Sequence, residues 1–300
     1  MKVGICTAGF GPWSTGDFIR RSAVLSEQAG FASFWIGDHV LLFGAYPESP
    51  YPYAGIKPEW GDPPISDPRS PLYEPVVAMT WAAAATSTIE LGSSIVILPQ
   101  RNPVILAKEL SVLDEFSQGR VICGVGVGWC KEEMDAIGTE WKTRGKRTDE
   151  YVHAMRALWG QDAAEFRGET VQFSNAYMYP RPVRPGGIPV MIGGDTELAQ
   201  KRVARCGDGW LAFNLPVGEA SARVARLKEL VRAEGRDPEA LRISTAIFTW
   251  TEPDELKCYR DAGVTEFLLF KSCELSVERD KLAGEIEAAA RKYVDLAAGL

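Results

Sequence analysis

Two hydrophobic rhythms alternate along this chain. Short, near-continuous apolar runs rich in Val, Ile, Phe and Gly fall at residues 3–8, 33–37, 90–97, 121–126, 189–192, 209–213, 242–248 and 266–270. Stretches with helical spacing lie between them, at 17–29, 75–85, 103–116, 144–159, 196–206, 218–233, 253–262 and 276–297. An apolar run without polar alternation predicts a strand covered on both faces, as in parallel sheets. Eight strands alternating with helices predict a parallel α/β fold. At this length a (β/α)8 TIM-like barrel accounts for them better than an open doubly wound sheet. The stretch TAGFGPW after the first strand lacks the G-x-G-x-x-G spacing of a dinucleotide fold. Local signals agree: Ser14, Thr15 and Asp17 stand at one helix start, Asn102 and Pro103 open another, and Gly30 and Gly119 follow helix ends.

Two segments break the rhythm. Residues 40–74 are rich in proline and aromatics and have no periodicity, the character of an active-site loop. Residues 127–188 are expected to hold a helix and a hairpin over AEFRGETVQFSN, turning at Arg167-Gly168. Both follow the C-terminal ends of strands, the catalytic face of such a barrel. No repeat, charge block or Gly/Ser linker marks a second domain, so residues 1–300 are read as one.

Composition narrows the field. A chain of 300 residues with 46% hydrophobic content can bury a substantial core. A net charge of −7 disfavours nucleic acid and membrane surfaces as partners and suits an ordinary soluble cytoplasmic enzyme. None of the six cysteines forms a C-x-x-C pair, and with two histidines no metal-ligand pattern emerges. Scattered thiols of this kind suit a reducing, cytoplasmic compartment. The N-terminus enters a strand directly and no apolar run reaches 18 residues, so neither a signal peptide nor a membrane span is expected.

In a barrel, the residues that end strands carry the chemistry. Asp38 and His39 end the second strand. A carboxylate can hold an imidazole in one tautomer for proton transfer, or the two can form a structural pair. Gly92-Ser93-Ser94 lets the third strand bulge so that something flat approaches, or is simply a tolerated run of small residues. Gly124, Gly126 and Gly128 share one face, which suits a ligand ring or tight barrel packing. Gly193 and Gly194 precede a helix, where they serve either an anion site or a tight turn. His153 lies among apolar helical positions and reads as structural.

Taken in order, GFASFWIGDHV, IELGSSIVILPQRNPVILAKELSVLDEFSQGRVICGVGVGW, RGKRTDEYVHAMRALW, FRGETVQF and IPVMIGGDTELAQKRVARCGDGW resemble the luciferase-like monooxygenase family over roughly residues 3–270. GVGVGWCKEEMDAIG followed by RGKRTDE looks most like its subset using the deazaflavin coenzyme F420. The resemblance implies a cofactor ring at the C-terminal mouth. It places behind that ring a strand-3 bulge, often with a non-prolyl cis peptide, within Ser93, Ser94 and Ile95. Gly126 would lie beside the ring, and the phosphate against Gly193, Gly194 and Asp195. His39 would exchange a proton, oriented by Asp38, while hydride passes between the deazaflavin and a small, partly apolar substrate. Trp13, Trp129, Tyr53 and Trp60 would shape the substrate pocket. Trp129 stands where sugar-phosphate dehydrogenases of the subset carry a glutamate, which argues against their substrate. The alternatives are an FMN-dependent monooxygenase using externally reduced flavin and oxygen, and a barrel that binds cofactor without catalysis. Family members often pair as homodimers, and the resemblance extends that expectation to this chain.

Overall fold

The apolar runs become β1 (Lys2–Ala8), β2 (Ser33–Ile36), β3 (Glu90–Ser93), β4 (Val96–Ile97) and β5 (Val121–Gly126) in the first half of the chain. A hairpin, β6 (Ala164–Arg167) and β7 (Gln172–Ala176), precedes β8 (Val190–Gly193), β9 (Gly209–Ala212), β10 (Arg242–Phe248) and β11 (Glu266–Phe270). The computed structural model describes residues 1–8, 14–51, 68–271 and 279–300. Its main sheet runs β3-β2-β1-β11-β10-β9-β8-β5-β4, all parallel, and β3 pairs with β5 as well, so the sheet closes on itself. The result is an eight-stranded (β/α)8 barrel, with β3 and β4 as the two halves of its third strand.

Helices α1 (Gly16–Gln28), α2 (Pro75–Ala83), α3 (Pro103–Phe116), α4 (Lys131–Ile137), α5 (Arg144–Gly160), α6 (Glu197–Cys206), α7 (Ala220–Ala233), α8 (Pro253–Asp261) and α9 (Arg279–Ala298) surround the strands. Their starts follow the capping residues: Thr15 accepts from the Phe18 N–H at 3.1 Å, and Asn102 accepts from Val104 and Ile105. Helix α4 has no counterpart among the helical stretches read from periodicity. It is under three turns long, and Gly138 in the left-handed conformation stops it. The hairpin turn also differs from expectation. Arg167 still pairs with Gln172, and the Gly168 N–H donates to the Val171 carbonyl at 3.0 Å, so the reversal spans residues 168–171.

The barrel has two apolar compartments. Phe34 and Ile36 of β2 face outward into the large core shared with the helices. Trp35, between them, points inward with Cys6, Ile122, Met191, Leu211 and Leu268. The interior is narrow, and an indole fits only because β3 lacks a side chain opposite it: a methyl group at Gly92 would overlap the Trp35 ring.

Charged groups close the N-terminal end of the barrel. Arg242 donates to Glu266 at 2.7 Å and lies 3.0 Å from Glu90. Ser33 and Ser244 donate to the same Glu266, and the Trp35 indole N–H reaches Ser33 at 2.7 Å. These residues open β2, β3, β10 and β11, so this end is packed and paired, and chemistry is left to the other mouth. No helix among the described residues is long and apolar enough to cross a membrane.

Gly92→Ala is expected to cost roughly 1–3 kcal/mol by overpacking against Trp35. Urea unfolding of the two proteins measures it, and an unchanged midpoint would mean that the interior relaxes around the added methyl.

Candidate active site

The third strand carries one residue too many for its neighbour. Gly92 pairs with Ile122 and Val96 with Val125, so four steps along β3–β4 match three along β5. The excess is absorbed at a bulge whose Ser94–Ile95 peptide bond is cis. Both flanks of the bulge are tied down: the Ser93 hydroxyl donates to the Gly124 carbonyl at 2.8 Å, and the Ser94 N–H to the Ile36 carbonyl at 2.7 Å. Ser93 and Val96 are buried, whereas Ser94 and Ile95 are half-exposed. The bulge therefore forms a ledge at the C-terminal mouth.

The alternating glycines receive this ledge. A methyl at Gly126 would overlap the Ile95 side chain, one at Gly193 would lie 2.8 Å from it, and one at Gly124 would overlap the Ser93 carbonyl. Gly124 and Gly126 thus seat the bulge, so their face is filled by Ser93 and Ile95 instead of standing bare for a ring. Gly128 lies past the strand at φ +76°, where the chain turns toward Trp129.

His39 is half-buried beside the ledge, and its partner is not Asp38. Its Nδ1 lies 2.9 Å from Oε2 of Glu133, a side chain with no exposed surface. Oε1 of Glu133 accepts from the Val40 and Leu41 N–H groups, the latter at 3.1 Å. On the other side of the ring the Trp129 indole N–H donates to His39 Nε2 at 3.2 Å. Tyr46 and Tyr51 pack on Trp129 with ring centroids 5.3 Å and 5.1 Å away. Burial pushes the Glu133 carboxyl up, but the His39 hydrogen bond and charge and the Val40 N–H outweigh it and hold the group below the ordinary glutamate range.

Asp38 has a different partner set, which corrects the expectation that it orients His39. Its fully buried carboxylate takes the Arg101 Nη2 at 2.7 Å, Arg101 Nε at 3.3 Å and the Ile97 N–H at 2.9 Å. Arg101 continues to Glu74 at 2.7 Å. Asp38 therefore pins the exit of the bulge, one residue before His39.

At the β8 exit, the Gly194 N–H donates to the Leu211 carbonyl at 3.2 Å, and the Gly194 carbonyl accepts from the Trp210 indole at 2.8 Å. Asp195 accepts the Asn214 N–H at 3.0 Å, and Thr196 caps α6 by accepting from Ala199. The N–H groups that α6 can offer an anion are those of its first turn, close to the carboxylates of Asp195 and Glu197. Gly193 serves the ledge and Gly194 the sheet.

Across the mouth from His39 stands an aromatic wall that was not singled out from sequence. Phe248 and Phe270 end β10 and β11, and Phe213 directly follows the last residue of the neighbouring β9. Phe213 meets Phe270 edge-to-face at 4.8 Å and Phe248 at 5.9 Å, while Trp250 stacks on Phe248 at 4.6 Å. The signal was present, since the runs 209–213, 242–248 and 266–270 all end in Phe. Trp13, Tyr53 and Trp60 lie outside the described residues.

A family model described as luciferase-like monooxygenase matches residues 1–297. The chain belongs to the luciferase-like monooxygenase family. An uncharacterized protein of Mycobacterium tuberculosis is 34% identical over 249 residues, 82% of this chain and 84% of its own. The F420-dependent glucose-6-phosphate dehydrogenase of Amycolatopsis mediterranei is 29% identical over 220 residues, covering 70% of this chain and 57% of its own. The FMNH(2)-dependent dimethylsulfone monooxygenase of Pseudomonas fluorescens is 26% identical over 265 residues, covering 82% and 66%. Among solved structures, an F420-dependent secondary alcohol dehydrogenase in complex with an F420-acetone adduct superposes with a TM-score of 0.76 over 98% of both chains, at 17% identity. Family relatives thus include F420-dependent oxidoreductases and FMN-dependent monooxygenases.

Two stability measurements separate the neighbouring acids. Asp38→Ala leaves Arg101 without its main buried partner and is expected to cost roughly 3–5 kcal/mol in urea unfolding. Glu133 has a folded-state value below its unfolded one. Its charge therefore contributes stability that is present above the ordinary glutamate range and is lost as pH falls through the lowered folded value. Across that acid window the wild-type urea midpoint should fall more steeply than that of Glu133→Gln.

Proposed function

We propose that the protein is an oxidoreductase that passes a hydride between the deazaflavin coenzyme F420 and a small, partly apolar organic substrate. The observation that carries this reading is the mouth itself, where an imidazole hydrogen-bonded at both nitrogens and an apolar aromatic wall flank a half-exposed ledge. The Ser94–Ile95 ledge offers a flat platform with its apolar side chain seated below, which fits a planar tricyclic ring. When bound, the deazaflavin supplies the ring carbon that gives or takes the hydride. His39 gives or takes the accompanying proton, at Nε2. Phe213, Phe248, Trp250 and Phe270 hold the apolar part of the substrate and exclude water. Trp129, where the sugar-phosphate enzymes have a carboxylate, adds apolar surface on the His39 side, so the substrate need not be charged.

FMN is the second reading, supported by the dimethylsulfone monooxygenase relative. Acidic groups at the start of α6 temper the expectation of a phosphate held by Gly193 and Gly194 in either case. Titrating the purified protein separately with F420 and FMN is expected to give tight binding of F420 only. Tight FMN binding without F420 binding, together with oxygen-dependent product formation from supplied reduced FMN, would replace the proposal. With F420 bound and a panel of small alcohols and conjugated carbonyl compounds, His39→Ala is expected to lower kcat by roughly 10²–10⁴-fold while leaving F420 affinity nearly unchanged. If turnover survives this change intact, His39 has no part in the reaction.

A further inference from the structure

We infer that Glu133 is the positioning residue for His39, fixing its imidazole as the Nδ1–H tautomer so that Nε2 is the proton-exchanging atom. The partners of the ring decide this without reference to any ligand. An ionised carboxylate can only accept hydrogen bonds and an indole N–H can only donate one. Glu133 Oε2 faces Nδ1 at 2.9 Å, so Nδ1 carries the proton. The Trp129 indole N–H faces Nε2 at 3.2 Å, so Nε2 presents its lone pair. Two independent neighbours, on opposite edges of the ring, demand the same tautomer.

The carboxylate is itself held in place. It accepts from the Val40 and Leu41 N–H groups as well as from His39, and its side chain has no exposed surface. It therefore fixes the backbone after His39 and the ring of His39 together. Trp129 marks the working edge: its N–H occupies the position from which a substrate oxygen would address Nε2, and it has to turn away for exchange. Gly128 precedes it, and Tyr46 and Tyr51 line its other sides. Asp38, committed to Arg101 and Ile97, is excluded from the orienting part.

A purely structural Glu133, needed only to cap residues 40 and 41, makes a different prediction for Glu133→Gln. The amide oxygen can still accept both backbone N–H groups, but the amide NH2 then faces Nδ1. A donor there forces Nδ1 to accept and moves the proton to Nε2, where it opposes the Trp129 N–H. The tautomer therefore reverses if Glu133 positions the ring, and stays if it only caps the backbone.

Imidazole 15N NMR of the full chain reads this directly, because His39 and His153 are the two histidines and His39→Ala assigns the signals. Where its imidazole is neutral, His39 of the wild-type protein is expected to carry the proton on Nδ1 and not on Nε2. Glu133→Gln should move the proton to Nε2, and Glu133→Asp should keep it on Nδ1. The catalytic consequence rests on the proposed role of His39: kcat of Glu133→Gln should fall on the order of 10²-fold, with cofactor affinity nearly unchanged. An Nε2–H tautomer in the wild type overturns the inference without need of any variant, as does an unaltered tautomer in Glu133→Gln. A reversed tautomer with undiminished kcat upholds the positioning by Glu133 and removes His39 from the proposed reaction instead.

Discussion

The mouth of this barrel is organised around a single excess residue in its third strand. A strand with one residue more than its neighbour must push something out of the ladder, and the direction of that push is set by what surrounds it. On the barrel side, Gly124, Gly126 and Gly193 have no side chains and leave a recess that Ser93 and Ile95 fill. On the entry side the Ser94 N–H is taken by Ile36, and on the exit side the Ile97 N–H is taken by Asp38. Three strands thus hold one irregularity, and the half-exposed backbone at Ser94–Ile95 is its product. A glycine pattern that looks like an open ligand face is, in the folded chain, the socket for a ledge.

The two adjacent residues after β2 divide the work. Asp38 turns inward to the ledge and pairs with Arg101, whose bidentate contact offsets the cost of burying a carboxylate. His39 turns to the mouth, and its carboxylate partner arrives from α4, ninety-four residues along the chain. Separating the two carboxylates in this way keeps the ion pair that supports the backbone independent of the group that faces the imidazole. It also explains why an acid next to a histidine in sequence need not be the acid that addresses it.

The barrel was legible because strand and helix rhythms are set by burial over many residues, and no single position decides them. The position of the bulge was legible through the family resemblance at GSSI. What escaped was local or long-range. Helix α4 is too short for its periodicity to register, although the acidic first turn and Gly138 mark its ends. Glu133 was hidden with it, because no sequence spacing links residue 39 to residue 133. The aromatic wall was visible only as three strand ends that share Phe, and it acquires meaning once the strands are arranged around a closed ring.

The family includes enzymes that use a deazaflavin and enzymes that use FMN, and both cofactors present a flat tricycle. Under the proposed function the ring of either cofactor would lie on the ledge that the bulge creates, between His39 and the aromatic wall. A crystal structure of the protein with F420 bound tests this most directly. The account predicts the ring against Ser94 and Ile95, with His39 Nε2 and Phe213, Phe248 and Phe270 around the space above its reacting edge. A ring bound elsewhere, with the ledge covered by the chain's own side chains, would contradict it.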